Sequence, residues 1–281
     1  MPSSLSSSNQ KVAVVTGSSS GIGFETTLTL ARSGFFTYAT MRNLGKGASI
    51  KSVATKEGLP IRVTQLDVTE DRSINDAVHL IISDVGKIDV LVNNAGYGLN
   101  GAFEDLAMEE IKAQFETNLF GVIRVSQAVL PIMRKQKSGI IINISSAGYP
   151  GESVYVSTKF AIEGLSESMV YELEPFGIRV VLVEPGPIRT NFADGVVADK
   201  KSQDPTSPYA EIMKKLNAVL ASMRENASFP DLVAKVVLKA VTSENPGLRY
   251  LAGKDVETWM EAKRSMSDEE FYKMMKQNLM K

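Results

Sequence analysis

Short apolar runs separated by longer segments of helical period constrain this chain most, because such runs are buried only in a parallel sheet covered on both faces. Val180-Val181-Leu182-Val183 is apolar without alternation, as a strand covered on both sides requires. Strands are predicted at 11–16, 35–41, 61–67, 88–92, 139–145, 178–184 and 248–252. Helices are predicted between the second and third strands and at 21–33, 69–86, 108–137, 153–175, 229–242 and 257–281. A further helical stretch is predicted at 209–223, inside an otherwise irregular segment. Gly34 closes the first helix and Thr69 is placed as the N-cap of the 69–86 helix. This order describes an α/β chain with a doubly wound Rossmann-type parallel sheet of about seven strands.

Several functional classes are excluded early. With 281 residues, 43% of them hydrophobic, the chain can bury one large core. Lys and Arg total 31 against 32 Asp and Glu, so no basic field awaits nucleic acid or an anionic membrane. Cysteine is absent, which removes disulfides and thiolate chemistry. The single histidine, His79, lies in a helical stretch and reads as structural, so no metal site is expected. Residues 1–10 are Ser-rich, lack a basic or apolar leader region, and read as a disordered lead-in to one domain at 11–281. No apolar run approaches membrane-spanning length, and the cytoplasm is the expected location.

A Gly-rich turn, Thr16-Gly17-Ser18-Ser19-Ser20-Gly21-Ile22-Gly23, follows the first strand and opens the first helix. Gly17 permits the sharp turn, Gly21 admits a pyrophosphate to the backbone, and Gly23 lets helix and strand pack. The helix N-terminus, with Ser19, Ser20 and Ile22 around it, would offer free N–H groups to phosphate. At the end of the second strand, Tyr38-Ala39-Thr40-Met41-Arg42-Asn43 lacks the acid that would accept from the ribose 2′-hydroxyl of NAD. Arg42 can fork onto a 2′-phosphate, which favours NADP(H) over NAD(H), the alternative being a solvent-facing Arg. Asp67 and Val68, ending the third strand, are placed to border an adenine. Asn94, Ala95 and Gly96, in Asn93-Asn94-Ala95-Gly96, close the fourth strand where a cofactor could cross the sheet edge, and the Asn amides would tie neighbouring loops.

Tyr155 and Lys159 are four residues apart, on one face of a predicted helix. A nearby ammonium favours the phenolate, which makes a tyrosine usable as acid or base. A free tyrosine titrates near ~10, so half-ionisation near neutrality needs a shift of about 3 units, or roughly 4 kcal/mol. Carbonyl reduction needs no such shift, because the neutral phenol is the proton donor.

Together these elements resemble the single-domain short-chain dehydrogenase/reductases over nearly the whole chain. The matching residues are Thr16-Gly17-x-x-x-Gly21-Ile22-Gly23, Asp67-Val68, Asn93-Asn94-Ala95-Gly96, Asn118, Ser145-Ser146, Tyr155-x-x-x-Lys159 and Pro185-Gly186. The stretches from Phe160 to Glu167 and from Pro175 to Ile178 resemble the branch holding 17β-hydroxysteroid and retinol dehydrogenases and microbial carbonyl reductases. The resemblance implies that Tyr155 exchanges the proton with the carbonyl or alcohol oxygen. It implies that Lys159 lowers the phenol pKa and holds the nicotinamide ribose. By the same resemblance Ser146 hydrogen-bonds the substrate oxygen, and Asn118 organises a helix and a water leading to Lys159. Pro185, Gly186, Ile188 and Thr190 would line the nicotinamide. A homodimer or homotetramer through the two long helices is also implied.

The sequence departs from the family where Ser146 joins Tyr155, because the connection is shorter than usual. Either the loop is trimmed or Ser145 supplies the hydroxyl. Tyr149 and Glu152, within it, either touch substrate or lie at the surface. Segment 187–230 would form a substrate lid, where Phe192, Val196, Val197, Tyr209, Ile212, Met213 and Leu216 suit an apolar carbonyl compound or simply pack. The Met-bearing tail, about 255–281, either covers the cleft or packs on its own domain. Two other readings compete with a ketone, aldehyde or alcohol oxidoreductase. One is a nucleotide-binding scaffold with little catalysis, for which the full Asn118, Ser146, Tyr155 and Lys159 set has no physical need. The other is a nucleotide-sugar epimerase or dehydratase, which would need more C-terminal length.

Overall fold

In a computed structural model, which describes residues 10–148, 152–190, 192, 197–198 and 206–279, seven strands make one parallel sheet. They are β1 (Val12–Val15), β2 (Phe36–Met41), β3 (Ile61–Gln65), β4 (Val90–Asn93), β6 (Gly139–Ile144), β7 (Ile178–Pro185) and β9 (Arg249–Ala252). Their order is β3-β2-β1-β4-β6-β7-β9, so the winding reverses between β1 and β4 and opens a crevice at the carboxyl ends. A separate parallel pair joins β5 (Leu99–Asn100) to β8 (Val197–Ala198), which strand patterning at this length does not reveal.

Alternate residues of β1 feed opposite cores, as the two-residue period dictates. Val12 and Val14 join Tyr38, Ile81, Val125, Val129 and Ile141 on one face. Ala13 and Val15 join Leu30, Val92, Ile142, Val183, Val233 and Val237 on the other. The first core is covered by α3 (Asp71–Val85), α5 (Gly121–Gln136) and α6 (Ser153–Leu173). The second is covered by α1 (Gly21–Arg32) and α8 (Pro230–Thr242), which pack along one another. The remaining helices are α2 (Ala48–Glu57), α4 (Met108–Phe115), α7 (Ala210–Glu225), α9 (Lys254–Ser265) and α10 (Asp268–Leu279). No helix among the described residues is long and apolar enough to cross a membrane.

Several expectations change in detail. Thr69 does not cap α3: Asp67 accepts hydrogen bonds from its N–H at 3.0 Å and its hydroxyl at 2.8 Å, and the helix starts two residues later behind Glu70. The tail is two helices rather than one. Ser267 and Glu270 form a capping box, with the Ser267 N–H donating to Glu270 at 2.9 Å, and this starts a new helix. The predicted 108–137 helix is interrupted by a π-helical turn at Glu116–Phe120. Gln10, placed in the lead-in, donates to the Gly34 carbonyl at 2.9 Å. The rest of the lead-in, together with Tyr149, Val196 and Met280, lies outside the described residues. His79 is exposed on α3.

Candidate active site

The Gly-rich turn is built by steric need. A Cβ on Gly23 would stand 2.4 Å from the Gly17 carbonyl oxygen and 2.5 Å from Asn94 Nδ2, so no larger residue fits. Gly17 and Gly21 have φ of +67° and +59°, the left-handed region glycine adopts without strain. The Ser20 side chain caps no amide and no acid lies in the first turn of α1. The positive end of that helix is therefore left uncompensated, facing the crevice, as a cofactor phosphate requires. Across it, Thr190 approaches the position of a Gly21 Cβ at 3.1 Å. Ser19 and Ser20 are on the accessible side of the turn.

Asn94 ties the turn down. Its Nδ2 donates to the Thr16 and Gly17 carbonyls at 2.9 and 3.2 Å. Thr16 Oγ1 in return accepts from the Asn94 and Ala95 N–H groups at 2.9 and 3.0 Å. Asn93 bonds Ser126 and Asn143 in the core, so the two amides do join neighbouring elements. Thr16 is a working member of this site that motif reading passed over, although it begins the motif. Gly96 lies against Asn118, with its Cβ position 3.1 Å from Oδ1.

Arg42 leaves β2 with its side chain 80% exposed and Nε 4.0 Å from Asp67 Oδ2. So loose a pair leaves the guanidinium fork free for an anion. The Val68 side chain enters the core against Gly121, so only its backbone can border an adenine. Ile22 and Ile188 similarly pack half-buried on the core beneath α1 and α8. Pro185 ends β7, and the Gly186 N–H donates to the Ala252 carbonyl at 3.3 Å.

The polar groups converge where β4, β6 and α6 meet. Asn118 sits in the π-helical turn, 1% exposed, a common use of such a turn. Its Oδ1 accepts from the Tyr97 N–H at 3.0 Å, while Nδ2 donates to the Tyr97 carbonyl at 2.9 Å and to Thr158 Oγ1 at 3.3 Å. Asn118 thus touches the neighbour of Lys159 rather than Lys159 itself. Lys159 is buried, and its Nζ donates to the Ile144 carbonyl at 2.8 Å, lying 5.6 Å from the centre of the Tyr155 ring. The Phe192 ring packs 5.5 Å from the same ring.

The two serines separate cleanly. The Ser146 hydroxyl accepts from the Gly148 N–H at 3.4 Å and lies close enough to the Tyr155 phenol to favour its ionisation. Ser145 is 1% exposed and its hydroxyl has no partner, with its N–H donating to the Val183 carbonyl at 2.8 Å. Among the described residues Ser146, not Ser145, therefore acts on Tyr155.

Electrostatics differ from the simple ammonium–phenol picture. Burial pushes the Tyr155 phenol well up, the Glu152 carboxylate adds to this, and only Ser146 opposes it. Burial also lowers the Lys159 ammonium to about 8, against an upward pull from Glu163. A neutral phenol beside a serine hydroxyl is a ready proton donor to an oxygen placed between them.

The comparisons with known proteins come from one family. A family model described as "short chain dehydrogenase" matches residues 11–201. Retinol dehydrogenase 8 of Bos taurus is 36% identical over 252 residues, covering 85% of this chain and 80% of that protein. A short-chain dehydrogenase from Streptomyces avermitilis superposes with a TM-score of 0.81 at 33% identity, covering 92% of this chain and 93% of that one. A metagenomic short-chain oxidoreductase solved in complex with NADP has a TM-score of 0.68 at 27% identity, covering 87% and 98%.

Proposed function

The chain belongs to the short-chain dehydrogenase/reductase family, and from that premise we propose that it is an NADP(H)-dependent oxidoreductase interconverting a ketone or aldehyde with an alcohol. The observation that carries this reading is the half-buried Tyr155 beside Ser146, with Lys159 one helical turn on. The nicotinamide supplies the hydride when bound. Gly17, Ser19, Ser20, Gly21 and Gly23 hold its phosphates, and Ala95, Gly96, Pro185, Gly186 and Thr190 border the dinucleotide. Tyr155 gives its proton to the carbonyl oxygen, and Ser146 donates a hydrogen bond to the same oxygen. Lys159 orients the ribose, and Asn118 fixes the Tyr97 backbone beside the helix of Tyr155 and Lys159.

The exposed Phe192 ring beside Tyr155 and the apolar residues of α7 favour an apolar substrate held under segment 187–230. The test is loss of reduced-nicotinamide absorbance with NADPH or NADH against aliphatic, aromatic, steroid and retinoid carbonyls. NADPH is expected to be consumed faster. Arg42→Ala should raise the KM for NADPH about 10-fold or more and leave that for NADH within about twofold, since only the former carries the phosphate the fork grips. Equal effects on both would remove Arg42 from cofactor choice.

The pH dependence follows from Lys159. Its ammonium is depressed to about 8, so it is charged below that pH and neutral above. kcat/KM for NADPH, which reports the free enzyme, should fall about 10-fold per pH unit above about 8. Tyr155 imposes no loss over that range, because its phenol stays protonated. A profile flat through pH 9 (about one unit beyond) would exclude Lys159 as the titrating group.

A further inference from the structure

We propose that Glu152 is a specificity-determining residue, selecting carbonyl substrates that carry a protonated amine beside the reacting group. The inference rests on the carbonyl reductase reading and adds a substrate class to it. Glu152 is the N-cap residue of α6, three residues ahead of Tyr155. Its backbone carbonyl accepts from the Val156 N–H at 2.9 Å, which fixes it at the mouth of the helix. The side chain caps no amide. Among the described residues the carboxylate accepts no hydrogen bond and forms no ion pair, although the residue is half-buried.

Two groups face this carboxylate from the elements around it. Tyr155 lies on its own helix, where the negative charge is close enough to oppose phenol ionisation. Arg224 approaches from α7, an exposed side chain that attracts Glu152 through space without pairing with it. Burial pushes the Glu152 carboxyl up. Around Tyr155 lie also the Phe192 ring, which offers no donor, and Lys159, whose Nζ donates to the Ile144 carbonyl.

A half-buried carboxylate with no close partner among the described residues is only partly solvated, and a cation gains more than a neutral group by pairing with it. A substrate hydroxyl would supply one neutral hydrogen bond and leave the charge uncompensated. An ammonium next to the carbonyl supplies both, while the carbonyl oxygen remains available to Tyr155 and Ser146.

The experiment compares ω-dimethylaminoacetophenone with isovalerophenone, which has the same shape without the charge. Calorimetry follows their binding to the protein saturated with NADP+, where no hydride is available, at slightly acidic pH so that the amine is protonated. The amine is expected to bind about 10-fold more tightly. Glu152→Gln should bring the two to within about twofold, and Glu152→Asp should keep part of the preference. Equal or weaker binding of the amine by the native protein, no binding of either, or a preference that survives Glu152→Gln would overturn the inference. Turnover of isovalerophenone with NADPH is measured on the same samples. Its absence counts against the reductase reading, while the binding ratio alone decides the role of Glu152.

Discussion

Tyr155→Phe should reduce kcat for NADPH-dependent carbonyl reduction by about 10³-fold while the Kd for NADPH changes by less than about twofold. The substitution removes one hydroxyl and keeps the ring, so the contact with Phe192 at 5.5 Å and the burial of the helix persist. What disappears is the proton donor beside the Ser146 hydroxyl. General acid catalysis by a positioned group typically contributes 10²–10⁴-fold, and no described neighbour can replace it: Lys159 points its Nζ at the Ile144 carbonyl, 2.8 Å away. Single-turnover rates with preloaded NADPH separate the chemical step from binding. Comparable rates in the two proteins would mean that another group protonates the oxygen.

Gly23→Ala should weaken NADPH binding at least about 100-fold, measured by fluorescence titration, and lower Tm by several degrees. Alanine is favoured over glycine in a helix by roughly 1 kcal/mol, so propensity alone predicts stabilisation. Steric contact decides otherwise. The new methyl would lie 2.4 Å from the Gly17 carbonyl oxygen and 2.5 Å from Asn94 Nδ2. Backbone must shift to admit it, and the groups that shift are the phosphate turn and the amide that ties it to Thr16. Overpacking of this kind costs about 1–3 kcal/mol, more than helix propensity returns. Unchanged affinity would show that the turn does not hold the cofactor.

The strands and the Gly-rich turn were legible because each has a local cause. Apolar runs such as Ile140 to Ile142 and Val180 to Val183 can lie only in a covered sheet, and they do. Gly17, Gly21 and Gly23 stand where positive φ or close approach excludes other residues. Caps were less legible, because a side chain can bond in more than one direction. Thr69 has the right chemistry for an N-cap, yet its hydroxyl is committed to Asp67 at 2.8 Å. The break before α10 was available in the Ser267 and Glu270 pair but was hidden by the helical composition around it.

Choosing between Ser145 and Ser146 needed three dimensions. Strand alternation turns the first inward and the second toward the crevice, but only the path of the short connection decides which meets Tyr155. The same is true of Glu152. In sequence it is one acid in a loop; in the fold it is a half-buried carboxylate beside a buried phenol. Thr158, which joins Asn118 to the Tyr155 carbonyl, carries no sequence signal beyond its place between Tyr155 and Lys159.

The central claim is hydride transfer at a site served by Tyr155. It is tested most directly by supplying NADPH deuterated at the transferring carbon, with a panel of apolar ketones and aldehydes, and analysing the alcohols by mass spectrometry. The native protein should place a single deuterium on the carbinol carbon of at least one alcohol, and Tyr155→Phe should form that product about 10³-fold more slowly. No labelled alcohol from the native protein across the panel, or equal labelling rates in the two proteins, would contradict it.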